Sequence, residues 1–183
     1  MNKSINSDFL NIMNERGFIH QITDKHKLDQ ELFTNTMSGY IGFDCTAPSL
    51  HVGSLIQIMM LRWFQKTGHK PIILMGGGTT KIGDPSGKDS ARPVLSSKAI
   101  ETNQKSIRAI FENFLKFGLS ENGAIMVDNS EWLNKLNYIS FLREFGSSFS
   151  INKLINLESV KQRLDREQNL SFLEFNYSLL QAY

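Results

Sequence analysis

The sequence predicts an α/β fold built on a doubly wound parallel sheet with a helical carboxyl-terminal portion, and three observations carry that prediction. The first is a short aromatic and β-branched stretch, Tyr40-Ile41-Gly42-Phe43-Asp44, which passes through the turn residues Thr46, Ala47, Pro48 and Ser49 into a segment with helical i, i+3, i+4 apolar spacing. The second is the continuous apolar run Pro71-Ile72-Ile73-Leu74-Met75, closed by Gly76-Gly77-Gly78, the pattern of a strand buried on both faces. The third is Ala124-Ile125-Met126-Val127-Asp128, which follows another amphipathic segment. Strand, helix, strand twice over implies right-handed crossovers between parallel strands, and ligands bind such sheets at the carboxyl ends of the strands.

Composition sets the outer limits. The 183 residues are one domain of ordinary size or a piece of a larger protein, long enough to bury a core. With 40% hydrophobic residues, 21% charged residues and a net charge of +2, the chain reads as soluble and globular, with no charge bias that would imply nucleic acid by itself. The single cysteine, Cys45, excludes an internal disulfide and suits a reducing compartment. The first residues contain no apolar signal core, and no stretch reaches the roughly 18 unbroken apolar residues of a membrane span. A cytoplasmic protein with no membrane partner is expected. Asn169-Leu170-Ser171 and Asn176-Tyr177-Ser178 fit the glycosylation triplet, which without secretion has no consequence.

In chain order, Phe9, Leu10, Ile12, Met13, Phe18 and Ile19 give an opening amphipathic helix that stops near Gly17, and a second helix is expected over 25–33. Residues 1–35 thus form a helical leader packed on the next part. Residues 36–135 carry the strands and crossovers and are expected to form a Rossmann-like half whose strand ends suit a nucleotide. The helix over 50–66 is so apolar that most of its surface is expected to be buried, and it ends at Gly68 and Pro71. The segment 76–92, rich in Gly, Thr, Ser, Lys and Asp, is a loop long enough to suspect function. Ser96 or Ser97 caps a helix through Phe117 with Ile100, Ile107, Ile110, Phe111 and Leu115 inward. Residues 136–183 read as helical over 138–145, 156–167 and 172–183, the last helix reaching Tyr183 with no stop signal, so that truncation is expected.

Three carbonyl-end loops converge in this arrangement: 44–54, 76–92 and Asp128-Asn129. On its own, His51 is better explained as a histidine satisfied near a helix start. With Gly53 in the same first turn it suits a phosphate, because unpaired N–H groups and the positive helix end face outward there. Lys88 and Arg92 read either as solvated loop charges or as cations for a polyphosphate. Two familiar phosphate motifs fail. Ile82 stands where the Walker pattern needs its first glycine and Asp89 follows Lys88, while Lys81 occupies a glycine position of the dinucleotide fingerprint.

Leu50-His51-Val52-Gly53-Ser54 is similar to the His-Ile-Gly-His signature of class I aminoacyl-tRNA synthetases. Tyr40-Ile-Gly-Phe-Asp-Cys-Thr-Ala-Pro-Ser-Leu-His51, Gly83-Asp-Pro-Ser-Gly-Lys88 and Phe175-Asn-Tyr-Ser-Leu-Leu-Gln-Ala-Tyr183 resemble the bacterial tyrosyl-tRNA synthetases, in order and with similar spacing. The resemblance implies a Rossmann-like catalytic domain and assigns roles. Tyr40 and Gly42 would meet the substrate phenol. Asp84, Tyr177 and Gln181 would hold its α-ammonium, Tyr177 and Gln181 standing at i and i+4 on one helix face, with Asn129 behind them. Asp44, Thr46, His51, Gly53 and Ser54 would line the ATP site, and His51, Lys88 and Arg92 would stabilise the reacting phosphates. The resemblance further implies tyrosine, ATP with Mg²⁺ and tRNA(Tyr) as partners, no resident metal, and a homodimer formed through 136–172.

Two departures accompany it. Ser54 stands for the second signature histidine; its hydroxyl reaches less far and carries no charge. The family's Lys-Met-Ser-Lys-Ser-type loop, a pocket aspartate beyond Tyr183 and the tRNA-binding region are absent from these 183 residues, so the resemblance covers half or less of such a protein. The alternatives are a tryptophanyl-type synthetase, and a non-catalytic synthetase-like module that binds RNA or a protein partner.

Overall fold

The computed structural model describes residues 5–84 and 95–183. Their contacts divide them into two compact units: the first takes the described residues of 1–43, 47–75 and 103–127, the second those of 44–46, 76–102 and 128–183. The strands β1 (Ser38–Asp44), β2 (Lys70–Gly76) and β3 (Ile125–Asp128) form one parallel sheet in the order β1-β2-β3. This is one wing of the arrangement the sequence predicts, and the last residue of every strand belongs to the second unit.

In the first unit, helices α1 (Asp8–Glu15) and α2 (Lys25–Thr34) form the leader. The Asp29 carboxylate of α2 accepts the N–H groups of Asn6 and Ser7 at 3.0 and 2.8 Å, donors that the start of α1 leaves unpaired. Burial by itself would raise the pKa of Asp29, but the Ser7 and Asn6 hydrogen bonds outweigh it and hold the group below its ordinary value. Gly17 adopts φ +70° just past α1, a left-handed stop that glycine takes without strain.

Helix α3 (Ser54–Lys66) starts four residues later than the apolar spacing predicts. His51 and Val52 instead form tight turns, their carbonyls accepting from the N–H groups of Ser54 and Leu55. The expected burial of this helix also needs correction. Ile58, Leu61, Phe64 and Gln65 are its buried residues, while Leu55 and Ile56 are 43% and 59% exposed. Gln65 is inside because its amide is fully used: it accepts the Lys116 N–H at 2.9 Å and donates to the carbonyls of Lys116 and Asn122 at 2.7 and 3.0 Å. Leu10, Leu32 and Phe64 form a core cluster joining the leader to α3, with Phe9 edge-on to Phe64 at 5.0 Å. His69 stacks beside Phe64 at 4.8 Å, and its Nδ1 accepts the Met37 N–H at 3.3 Å, while Lys70 N–H donates to the Met37 carbonyl.

Helix α4 (Ser97–Glu112) ends before the predicted Phe117. Beyond it Asn113 bonds back to the Ala109 carbonyl, Arg62 takes the Phe114 carbonyl, and Phe117 pairs with Ala124 in a parallel bridge, so the chain from 113 to 117 is committed elsewhere. Ile100, Ile107, Phe111 and Leu115 are buried as the periodicity implies.

In the second unit helices stand where 138–145 and 156–167 read as helical, while the one expected over 172–183 is broken. Short helices α5 (Ser130–Leu133), α6 (Tyr138–Glu144), α7 (Ile151–Leu154), α8 (Glu158–Asp165), α9 (Phe172–Phe175) and α10 (Tyr177–Ala182) follow one another. Asn176 divides the segment read as one helix over 172–183; its side-chain amide donates to the Phe172 carbonyl at 2.7 Å, the local competition that makes asparagine a poor helix interior. Phe141, Leu154 and Leu179 make this unit's core cluster. Among the described residues no helix is long and apolar enough to cross a membrane.

Candidate active site

The site residues expected from sequence fall in both units. Tyr40, Gly42, His51, Gly53 and Ser54 lie in the first; Asp44, Thr46, Asp84, Asn129, Tyr177 and Gln181 lie in the second. Lys88 and Arg92 lie outside the described residues.

In the first unit, Tyr40 and Gly42 alternate along β1 and so face the same way, Tyr40 with 64% of its surface exposed. Gly53 precedes the first residue of α3 rather than lying in its first turn. Its N–H, one of the donors a helix start leaves open, is taken by His51 Nδ1 at 3.1 Å. That bond fixes the neutral ring as the tautomer with the proton on Nε2, a hydrogen-bond donor on an exposed side chain. A Cβ on residue 53 would stand 3.3 Å from His51 Nδ1, a tight contact that the ring would have to relieve by shifting a few tenths of an ångström.

The second unit holds a continuous polar chain. Tyr177, the first residue of α10, donates its hydroxyl to Asp44 Oδ2 at 3.2 Å. Asp44 Oδ1 accepts the Thr79 hydroxyl at 2.9 Å, and Thr79 in turn accepts from Asn129 Nδ2 at 3.2 Å. The Asn129 carbonyl oxygen accepts the Gly78 N–H at 2.8 Å, and Asp128 Oδ1 accepts the N–H groups of Gly77 and Ser130 at 3.1 and 2.8 Å. Each loop at a strand end is therefore tied to the next through a side chain rather than through the ladder. Thr79 and Asn129 are buried, while Asp44, Asp84, Tyr177 and Gln181 are half-buried, so the polar chain ends on groups that a ligand can reach. Thr46 is exposed.

Electrostatics agree with this layout. Burial raises the pKa of the Tyr177 phenol far above its ordinary value, and the neighbouring carboxylates of Asp44 and Asp84 raise it further. The phenol keeps its proton, and the two carboxylates beside it lend this part of the unit negative charge, which suits a positively charged guest.

Sequence reasoning missed Thr79, Thr80 and Gly76. A 3₁₀ turn at Thr79–Lys81 follows β2, where a plain loop was expected. Thr80 Oγ1 accepts the Cys45 N–H at 2.8 Å, and the Cys45 side chain is fully buried. A Cβ on Gly76 would come within 2.2 Å of Asp44 Oδ1 and 2.6 Å of Thr79 Oγ1. The signal available was two hydroxyl residues directly after a glycine run at a buried strand's carboxyl end.

Residues 33–183 match the family described as tRNA synthetases class I (W and Y). The chain is 58% identical over 177 residues to a tyrosine–tRNA ligase of Beijerinckia indica and 61% identical to that of Zymomonas mobilis, matches that cover 97% of this chain but 42% and 43% of those proteins. It thus spans less than half the length of the curated relatives it matches. Among solved structures, a C-terminally truncated mitochondrial tyrosyl-tRNA synthetase of Aspergillus nidulans superposes with a TM-score of 0.82 at 30% identity, over 95% of this chain and 52% of that one. An Archaeoglobus fulgidus tyrosyl-tRNA synthetase complexed with L-tyrosine shares the fold at 17% identity and a TM-score of 0.62. The sheet and its crossovers are the Rossmann-like fold of this class, and the chain belongs to the class I tRNA synthetases of the tryptophan and tyrosine group.

Proposed function

We propose that the protein is a tyrosine–tRNA ligase: it activates tyrosine with ATP to tyrosyl-adenylate and passes the tyrosyl group to tRNA(Tyr), this chain supplying the nucleotide-binding half and much of the amino-acid pocket. The observation that carries the reading is the chain Tyr177–Asp44–Thr79–Asn129, which holds a protonated phenol on the Asp44 carboxylate, within the electrostatic reach of Asp84. Because the Tyr177 hydroxyl spends its proton on Asp44, its oxygen is oriented to accept from an ammonium group. Asp84 supplies the opposite charge and Gln181, one turn along α10, a further acceptor. Tyr40 and Gly42 receive the substrate phenol.

In the reaction a tyrosine carboxylate oxygen attacks the α-phosphorus of ATP, the bond from that phosphorus to the bridging oxygen breaks, and pyrophosphate leaves. The carboxylate is ionised at neutral pH, so no protein base is required. Catalysis is positioning together with stabilisation of charge building on the phosphates. His51 supplies a donor from Nε2, Gly53 and Ser54 a helix start, and Asp44 and Thr46 contacts to the nucleotide, with Lys88 and Arg92 as the cations for pyrophosphate. Among the described residues no three His, Cys, Asp or Glu side chains are grouped to hold a metal. Mg²⁺ would accompany the ATP phosphates as part of the nucleotide substrate. A cytoplasmic homodimer completes the proposal.

Tyrosine-dependent ATP–pyrophosphate exchange tests it, run on this chain and on the full-length protein with tryptophan as control. Exchange by the full-length protein with tyrosine alone is expected, and exchange by the 183-residue chain is expected to be severely reduced. Exchange with tryptophan in its place would move the assignment to the other branch of the family. No exchange with either would leave a binding module.

A further inference from the structure

We infer that the buried ion pair Arg163–Glu174 is a positioning device for the tyrosine pocket, fixing where α10 begins and so where Tyr177 and Gln181 stand. The inference rests on the functional reading above, from which it takes the roles of those two residues. Helix α9 has four residues and α10 six, and neither is long enough to hold its place by its own hydrogen bonds. Their placement must come from outside.

Glu174 supplies it from three residues upstream of Tyr177. Its Oε2 accepts both the N–H and the hydroxyl of Ser171, at 3.1 and 2.8 Å, while the Ser171 hydroxyl oxygen accepts the Glu174 N–H at 3.2 Å, a reciprocal cap on α9. Its Oε1 faces Arg163 Nη1 at 3.3 Å. The second guanidinium nitrogen of Arg163 donates to the Asn169 carbonyl. One side chain near the end of α8 thus grips the connecting loop and the cap of α9 together. The loop is turned back onto that point: Gln168 N–H donates to the Arg163 carbonyl at 2.9 Å, and Glu167 is held at φ +52°, a left-handed conformation that a non-glycine residue keeps when its surroundings impose it.

Both side chains of the pair are almost wholly enclosed, at 3% and 5% exposure. Burial would raise the Glu174 pKa, but Ser171 and Arg163 outweigh it and hold the group below its ordinary value, so the pair is ionised. Enclosed ions contribute little net stability over an apolar pair of equal volume, and what they add is a single geometry. The planar guanidinium fork, shared between a carboxylate and a carbonyl, is such a constraint. Downstream, Leu179 seats α10 in the Phe141 and Leu154 cluster, and Tyr177 meets Asp44. A rotation of α10 about its axis displaces Tyr177 and Gln181 together.

The test is exchange kinetics on the full-length protein with Arg163→Lys, Glu174→Gln and the double variant Arg163→Met/Glu174→Met, which keeps volume and removes both charges. KM for tyrosine is expected to rise about tenfold in each, with KM for ATP within about twofold of wild type, because α10 carries amino-acid contacts and meets the nucleotide side only through Asp44, which Thr79 also holds. A merely structural pair would lower the amount of active enzyme and leave both constants unchanged, and that result overturns the inference. Failure of all three variants to fold overturns it too, since the pair would then be holding the chain together rather than placing the helix. A wild type without tyrosine-dependent exchange would overturn the functional reading, and this inference with it.

Discussion

Asp44 shows how closely the site is fitted. Its two carboxylate oxygens are claimed by different residues, Thr79 and Tyr177, that lie 35 and 133 positions away in sequence. Gly76 leaves the space for it. Gly76→Ala would drive a methyl group into the Asp44 carboxylate and the Thr79 hydroxyl, neither of which can move without breaking the polar chain. Tyrosine-dependent exchange by the full-length protein is expected to fall about 100-fold, the scale of an ångström displacement at a reacting centre. An alanine variant with wild-type exchange would show that Asp44 does not need this position. Tyr177→Phe removes one hydroxyl and leaves the ring, so its effect isolates the hydrogen bond. A loss of about 1.5–3 kcal/mol in tyrosine binding is expected, read by titration, with ATP binding unchanged. Asp44, Asn129 and Tyr177 could be named from their motifs. Thr79 could not, because a threonine in a Gly-Thr-Thr run looks like any loop residue until the fold brings Asp44 to it.

At the scale of elements, periodicity succeeded where a segment spans several turns or a whole strand. It found β1, β2 and β3 to within two residues of their ends, and the buried face of α4. It failed on α7, α9 and α10, where four- to six-residue pieces carry too few turns for a period to register, whereas α8 lies inside the helix expected over 156–167. It also misjudged α3, since composition reports how apolar a helix is and not which residues a neighbour covers: Leu55 is exposed and Gln65 is buried. His69 shows the same limit and leads to a pH effect. Burial holds its pKa below the ordinary value of 6.5, so the folded ring stays neutral and Nδ1 accepts from Met37. Between the folded and unfolded pKa values the unfolded chain binds the additional proton, and stability therefore falls as pH drops through about 6.5. Urea midpoints at pH 7.5 and 5.5 should show this loss in wild type and a smaller one in His69→Asn, whose amide oxygen can still accept the Met37 N–H. Equal losses in both proteins would remove His69 as the cause. Asp29 acts in a lower window. Its depressed pKa supports folding above about 3.9 and is lost only in stronger acid, so the two effects separate on the pH axis.

For the whole molecule, the α/β class and the carboxyl ends of the strands as the place for chemistry follow from three apolar runs and the loops after them. The partition of the chain does not. It crosses from one unit to the other after Phe43, Met75 and Val127, at the last residue of each strand, a division that contacts define and that no change of composition marks. The single cysteine lies at one of these crossings. Cys45 follows Asp44 directly, its side chain is fully buried, and its N–H is held by Thr80. A thiol reagent can reach that sulfur only when the strand end loosens, so the labelling rate at Cys45 measures how often the end of β1 opens. Saturating tyrosine should slow the modification of Cys45 in the full-length protein, followed on the peptide that carries it, and an unaltered rate would mean that the amino acid does not brace this strand end. The strand end thus carries its own chemical clock beside the polar network, with no label to engineer.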